Sequence, residues 1–270
     1  MKPVRILCVG GSDSSGGAGI QADLKAVSVC GCYGMSVITA VTVQNTCGVE
    51  SIYPVPQKII LAQLDCVLRD IGADAVKTGM LLTVGAIEAV VKKVKEYRLE
   101  KLIVDPVMMA KGGHCLMRDN AKVALIRKLL PQAFVVTPNI PEAEVIAQCK
   151  IEGIAEMKKA AAVIYGIGVK NVVIKGGHLR AAKKSGAVDI LYDGKNYYEY
   201  FSPWIATKDT HGTGCTYASS LAAAIACGEN IIDAVQQAKD MVTKAIENSL
   251  RLGKGQGPVD VMGSIVKQKV

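Results

Sequence analysis

Aromatic and histidine side chains are scarce in this chain: its 270 residues include two phenylalanines, one tryptophan and three histidines. His114, His178 and His211 share no ligand spacing, and Cys30 with Cys32 is the only close cysteine pair, which argues against structural zinc. No apolar run is long enough to span a membrane. The six-residue apolar stretch after Met1-Lys2-Pro3-Val4-Arg5 is too short for a signal-peptide core. A cytoplasmic protein is therefore expected, and its nine cysteines, odd in number and without a secretory signal, are expected to be free thiols. No Pro/Ser-rich linker, repeat, low-complexity tract or long block of one charge interrupts the chain. The net charge of +8 is scattered over helix-like segments such as Lys92-Lys93-Val94-Lys95. With so few aromatics it reads as a solvated basic surface, not as a contact for nucleic acid. Walker A and a properly spaced Gly-x-Gly-x-x-Gly are both missing, which speaks against a P-loop NTPase and a nicotinamide-dependent oxidoreductase.

What the chain does contain is an alternation of short β-rich runs with longer amphipathic ones. Half of its residues are apolar, enough for a large core, and one α/β domain spanning residues 1–270 is expected. Continuous apolar runs mark strands buried on both faces at Val4 to Val9, Ser36 to Val43, Ala73 to Lys77, Leu102 to Val104, Ala133 to Thr137 and Asn171 to Lys175. Helical patterns fall near 19–30, 57–70, 83–97, 119–130, 141–149 and 155–165, with Pro141 suited to a first helical position. This rhythm predicts a mostly parallel sheet between two helical layers. Beyond Lys175, Val188 to Tyr192 and Tyr197 to Phe201 flank Asp193-Gly194 and read as an antiparallel hairpin. Two long helices follow, from about Gly214 to Cys227 and from about Ile231 to Leu250, each closed by a glycine.

In such sheets ligands bind beyond the carboxyl ends of the strands. Here those ends are rich in glycine and polar residues: Gly10 to Gly19, Gln44 to Thr46, Lys77 to Met80, Asp105 to Val107, Thr137 to Glu142 and Lys175 to His178. Six such ends on one rim predict a site. The turn from Asp209 to Cys215 adds free backbone N–H groups at the start of an Ala-rich helix, a place suited to anions. Cys215 ends that turn, where the helix dipole and unpaired amides are expected to favour a thiolate and lower its pKa. A phosphoryl donor needs Mg²⁺, and Asn139, Glu142 and Asp105 offer oxygens for it, although Glu142 alone also fits a simple dipole pairing.

Taken in order, GSDSSGGAGIQAD at 11–23, TAVTVQNTCGV at 39–49, KTGML at 77–81, DPVM at 105–108, TPNIPEAE at 137–144, KGGH at 175–178 and DTHGTGC at 209–215 closely resemble the hydroxymethylpyrimidine/phosphomethylpyrimidine kinases of thiamine biosynthesis. The resemblance runs through nearly the whole chain, to about Gly257-Pro258. It implies a ribokinase-like fold with three α/β/α layers. It also implies that ATP phosphorylates 4-amino-5-hydroxymethyl-2-methylpyrimidine and then its monophosphate, with Mg²⁺ as cofactor, in a homodimer. Carried onto these residues, Gly212, Thr213, Gly214 and Cys215 form the anion hole and catalytic loop, Cys215 standing where sugar kinases carry an aspartate base. Lys175, Lys239, Asp209 and Thr210 fall at the nucleotide, and Asn139 and Glu142 hold Mg²⁺ through water. Gln44 reads the pyrimidine, because one amide offers both donor and acceptor to an aminopyrimidine edge. Asp23, Met80 and Val107 are expected contacts or walls of the same subsite.

The chain departs from the family at Lys111-Gly112-Gly113-His114-Cys115-Leu116, which resembles its flap without the usual Lys-Ser-Gly-Asp pattern. Ala110 stands near a position where related pyridoxal kinases carry a cysteine. The absence of that cysteine favours the pyrimidine kinase over two alternatives: a pyridoxine, pyridoxal or pyridoxamine kinase, whose substrate ring also carries a hydroxymethyl group, and a non-catalytic ligand sensor on the same fold, in whose favour the missing aspartate speaks. Gly48 to Val55, apolar and expected at the surface, is a candidate dimer contact.

Overall fold

β1 (Arg5–Asp13) divides the molecule. Successive side chains of a strand point to opposite faces, so Leu7 and Val9 enter one core cluster while Ile6 and Cys8 enter the other. The computed structural model describes residues 2–109, 116–179 and 182–263, so the flap segment at 110–115, with Ala110, lies outside the described residues. After β1 come α1 (Gly19–Val29), β2 (Tyr33–Asn45), β3 (Gly48–Pro54), α2 (Gln57–Asp70), β4 (Ala75–Thr78), α3 (Val84–Glu96), β5 (Leu102–Val104) and α4 (Asp119–Ala124). The chain continues through β6 (Val135–Val136), α5 (Ile140–Ala147), α6 (Ile154–Tyr165), β7 (Val172–Ile174), α7 (Ala182–Ser185), β8 (Ala187–Tyr192), β9 (Tyr197–Ser202), α8 (Thr213–Ala226) and α9 (Ile231–Glu247).

The strands form one nine-stranded sheet in the order β3-β2-β1-β4-β5-β6-β7-β8-β9. Pairing is parallel from β2 through β7 and antiparallel at both margins, where β3 joins β2 and the hairpin β8–β9 joins β7. Helices α2, α3, α5 and α6 cover one face through residues such as Leu64, Ile87, Ile146 and Ala160. Helices α1, α8 and α9 cover the other through Ile20, Val27, Leu221 and Val235. The mostly parallel three-layer arrangement expected from the alternating pattern is the one observed.

Two expectations need correction. The segment 119–130 is not one α-helix: α4 gives way to a π turn at Leu125–Leu129 and a 3₁₀ turn at Leu130–Gln132. Pro131 has no N–H to offer the Arg127 carbonyl and its ring crowds that position, so the α ladder ends before it. Gly48–Pro54, read only as an exposed apolar segment, is an edge strand. Its side chains are mostly exposed or half-buried, so it carries no core-facing stripe from which a strand could be read.

Candidate active site

The strand order changes direction between β1 and β4, and the crevice at such a switch point is where open α/β sheets bind ligands. Glycine makes the crevice: the Gly79 N–H donates to the Val9 carbonyl over 2.8 Å, and a side chain on Gly11 would overlap the Met80 methyl. From here a cavity of about 920 Å³ runs along the rim, large enough for two small ligands side by side. Gln44, Met80 and Val107 line it towards β1 and β2, while Trp204 and Lys239 line it near β9 and α9.

The N-terminus of α8 opens into the middle of this cavity. Gly212, its N-cap, has φ +86°, and an added Cβ would overlap the Gly17 carbonyl, so glycine is required by conformation and by space. No side chain caps the helix, and of its first N–H groups that of Thr213 reaches back to the Thr210 carbonyl at 3.4 Å. A Cβ on Gly214 would lie 3.4 Å from Asp105 Oδ2 and 3.5 Å from Lys175 Nζ. The helix dipole, one lysine and one carboxylate therefore converge on one small volume.

Lys175 Nζ donates to Asp105 Oδ1 at 3.0 Å, and Thr137 Oγ1 reaches the same oxygen at 3.4 Å. Burial opposes the lysine's charge, but Asp105 and Glu142 outweigh it and hold Lys175 above its ordinary value. Glu142 closes a capping box with Asn139: the Glu142 N–H donates to Asn139 Oδ1 and the Asn139 N–H donates to Glu142 Oε2, each at 2.9 Å. Burial pushes the Glu142 carboxyl up to about 7, with Lys175 pulling it down and Asp105 pushing it up. The capping role and the functional one are thus both present in one residue.

The expectation of an acidic Cys215 is overturned. The Gly19 N–H at the start of α1 and the nearby Lys77 both favour the thiolate, yet burial dominates and, with Asp23 and Asp105, pushes the thiol up to about 11.

Asp23 lines the cavity, as expected of a contact or wall, and also holds a buried ion pair. Alternation in β4 turns Lys77 towards α1 and α8, where Nζ donates to Asp23 Oδ1 at 2.6 Å and Ser219 Oγ to the same oxygen at 2.9 Å. Both members of the ion pair are completely buried, and Asp23 Oδ2 has no hydrogen-bond partner among the described residues. Burial pushes both towards neutrality, but the close carboxylate prevails at Lys77, which stays charged.

Asp209 does not line the cavity. Its Oδ1 accepts from the Gly257 N–H at 3.0 Å and Oδ2 from Thr207 at 3.5 Å, so it fastens the DTHGTGC turn to the C-terminal segment. Thr210 does line the cavity, and its carbonyl accepts from Thr213 Oγ1 at 3.1 Å. Lys239 reaches the cavity with Nζ 2.9 Å from Asp189 Oδ2, and Asp189 Oδ1 accepts from the Gly176 N–H. Asp189 was not anticipated. Its hairpin position resembles any half-buried strand residue, and only the sheet brings it to Lys239.

At the pyrimidine end, Gln44 follows a bulge between Val43 and Gln44, a device that re-aims a side chain. Its amide nitrogen lies 3.2 Å from His211 Nε2, which is itself 2.8 Å from Asp13 Oδ2. Burial resists ionisation of Asp13, but donors from His211, Ser15 and Ala18 outweigh it and hold the carboxyl below its ordinary value. Asp13 and His211 are 198 residues apart. Each lies in a segment singled out by sequence, yet nothing in sequence announces that they meet.

Residues 13–260 match the family model described as phosphomethylpyrimidine kinase. The chain belongs to that family. It is 44% identical over 260 residues to the hydroxymethylpyrimidine/phosphomethylpyrimidine kinase of Bacillus subtilis, covering 96% of this chain and 95% of that protein. It is 48% identical over 255 residues to a thiamine biosynthesis bifunctional protein of Geobacter sulfurreducens, covering 94% of this chain but only 51% of that longer protein. Among solved structures, an ADP complex of Bacillus subtilis pyridoxal kinase matches with a TM-score of 0.89 at 38% identity, covering 96% of this chain and 97% of that one.

In this kinase the oxygens offered to Mg²⁺ are largely occupied by protein: Asn139 Oδ1 and Glu142 Oε2 complete the capping box, and Asp105 Oδ1 holds Lys175. Among the described residues no group of three His, Cys, Asp or Glu could hold a metal directly. The donor set would suit a Mg²⁺ that keeps its waters, with Asn139, Glu142 and Asp105 as the residues that would hold it.

Proposed function

We propose that this kinase transfers the γ-phosphoryl group of ATP to 4-amino-5-hydroxymethyl-2-methylpyrimidine and then to the resulting monophosphate. The convergence of the uncapped α8 N-terminus on Lys175 and Asp105, between a pyrimidine end at Gln44 and a nucleotide end at Trp204 and Lys239, carries the reading. Phosphoryl transfer asks mainly for alignment and charge stabilisation. The Gly212 to Cys215 amides receive the transferring group, and Lys175 leaves Asp105 for phosphate oxygens. Mg²⁺, when bound, would neutralise charge on the phosphates, and Asp105 and ionised Glu142 would hold its waters. Gln44 pairs with the aminopyrimidine edge, and His211 with Asp13 holds Gln44 in place. The thiolate form of Cys215 takes the hydroxyl proton in the first step. The second acceptor, a phosphate oxygen, is already anionic and needs no base.

A pyridoxal kinase is the second reading, favoured by the pyridoxal kinase likeness at 38% identity. Exposed Val41, Val43 and Tyr53 on the β2–β3 arm support a homodimer. No helix among the described residues is long and apolar enough to cross a membrane, consistent with a cytoplasmic enzyme. The test is ADP release in the presence of hydroxymethylpyrimidine, its monophosphate or pyridoxine, each alone. Turnover with both pyrimidines supports the reading, turnover with pyridoxine alone transfers it to the alternative, and none at all leaves a ligand sensor.

A further inference from the structure

At the end of the sheet opposite the reaction rim, Cys32 precedes β2 and Cys227 caps the C-terminus of α8. Their sulfurs are 3.7 Å apart although the residues are separated by 195 positions. Cys32 is 7% exposed, its thiol directed also at the Cys30 carbonyl 3.8 Å away, while Cys227 is open to solvent. One sulfur is therefore reachable by a small reagent, and the other waits in contact behind it. A disulfide needs the sulfurs to close from 3.7 Å to about 2.05 Å.

We propose that Cys32 and Cys227 are a redox modification site that closes to a reversible intramolecular disulfide by exchange with a low-molecular-weight disulfide. The Cys227 thiolate attacks one sulfur of R–S–S–R, forming a mixed disulfide and releasing one R–S⁻. The Cys32 thiolate then attacks the Cys227 sulfur, forming the internal bond and releasing the second R–S⁻. The two protons lost by the protein thiols pass through solvent to the two released thiolates. The protein pair is oxidised and R–S–S–R is reduced to two R–SH. Burial and the adjoining Cys227 sulfur push the Cys32 thiol up, which suits it to second place in this order.

The bond would join the C-terminal end of α8 to the start of β2, while the opposite ends of those elements hold the Cys215 turn and Gln44. Helix α8 has 14 residues, so the pair lies about 20 Å from the phosphoryl site. Oxidation should therefore staple the fold without silencing it, since a cross-link over so long a loop restricts the unfolded chain strongly.

The test incubates the whole protein with oxidised glutathione, digests it without reduction and maps cysteine linkages by mass spectrometry, alongside thermal unfolding. The expected result is a linked pair of peptides lighter by two hydrogens, retained in Cys30→Ser, lost in Cys227→Ser and reversed by dithiothreitol. The oxidised wild type should melt about 5 °C or more above the reduced form, with turnover changed less than twofold. Glutathione carried on Cys227 without an internal link would overturn the proposal, as would a link that disappears in Cys30→Ser. Both informative variants alter thiols outside the fully buried core, so neither result depends on the folding of a Cys32 variant.

Discussion

Lys175 donates to Asp105 over 3.0 Å although β5 and β7, the strands they follow, are separated by β6. The lysine reaches along the rim, beside Gly214 at the start of α8. In the free protein Lys175 is thus held charged by a carboxylate from which phosphate oxygens can take it. Replacing it with Met should lower kcat/KM for both phosphorylations by about 10²-fold or more, mostly in kcat, as expected of a group that meets charge developing in the transition state. Steady-state kinetics with each acceptor separately checks this. A loss confined to KM for ATP would make Lys175 only a nucleotide tether.

Glu142 gives a pH-dependent stability with a definite sign. Its carboxyl is pushed up to about 7 in the folded protein, from an ordinary value of 4.5. Between those values the folded state holds a proton that the unfolded state has lost, so stability falls as pH rises from about 4.5 to 7. Glu142→Gln keeps an acceptor for the Asn139 N–H but removes the titration. Melting curves should show the variant gaining on wild type as pH rises from 5 to 8. They should also show a flatter pH profile, while activity at limiting Mg²⁺ drops by about tenfold or more.

Cys215 should matter unequally to the two steps. With its thiol near 11, only roughly one protein in ten thousand carries the thiolate at pH 7, and that fraction grows about tenfold per pH unit. The first phosphorylation should therefore speed up as pH rises from 8 to 9 in wild type and stay flat in Cys215→Ser. The serine variant should lose about 10²-fold in the first step and less than tenfold in the second. Equal losses would restrict Cys215 to the anion hole.

Gln44→Leu preserves bulk but leaves the aminopyrimidine edge without partners. Its kcat/KM for hydroxymethylpyrimidine should fall by about 10²-fold or more, since unpaired polar groups at a buried site are strongly penalised. His211→Ala, which removes the neighbour 3.2 Å from the Gln44 amide, should weaken the same parameter more mildly, with KM for ATP unchanged in both.

How much of this could be read from sequence depends on whether the signal is local. β5 coincides with its apolar run from Leu102 to Val104, and α2 with its expected span at 57–70, because burial on both faces or on one stripe writes a continuous pattern. The edge strand Gly48–Pro54 buries too little to write one. The Asn139/Glu142 capping box is local as well, three residues apart at a helix start, so its two residues stand out in the sequence. The ion pair of Lys77 with Asp23, and the link from His211 to Asp13, join distant segments that meet only when parallel strands and helices stack. Lys77 did leave a trace, a charge at the end of an otherwise apolar strand. The rise of the Cys215 thiol was not legible, since a helix N-terminus argues for a thiolate and only the packed site reveals the burial that opposes it.

The most direct test follows one reaction in time: the protein, ATP, Mg²⁺ and hydroxymethylpyrimidine in one vessel, sampled by chromatography, with pyridoxine in a parallel vessel. The account predicts that monophosphate appears first and diphosphate follows from it, with kcat/KM for hydroxymethylpyrimidine at least about 10²-fold above that for pyridoxine. Phosphorylation of pyridoxine at an equal or higher kcat/KM, or accumulation of monophosphate with no diphosphate, would contradict it.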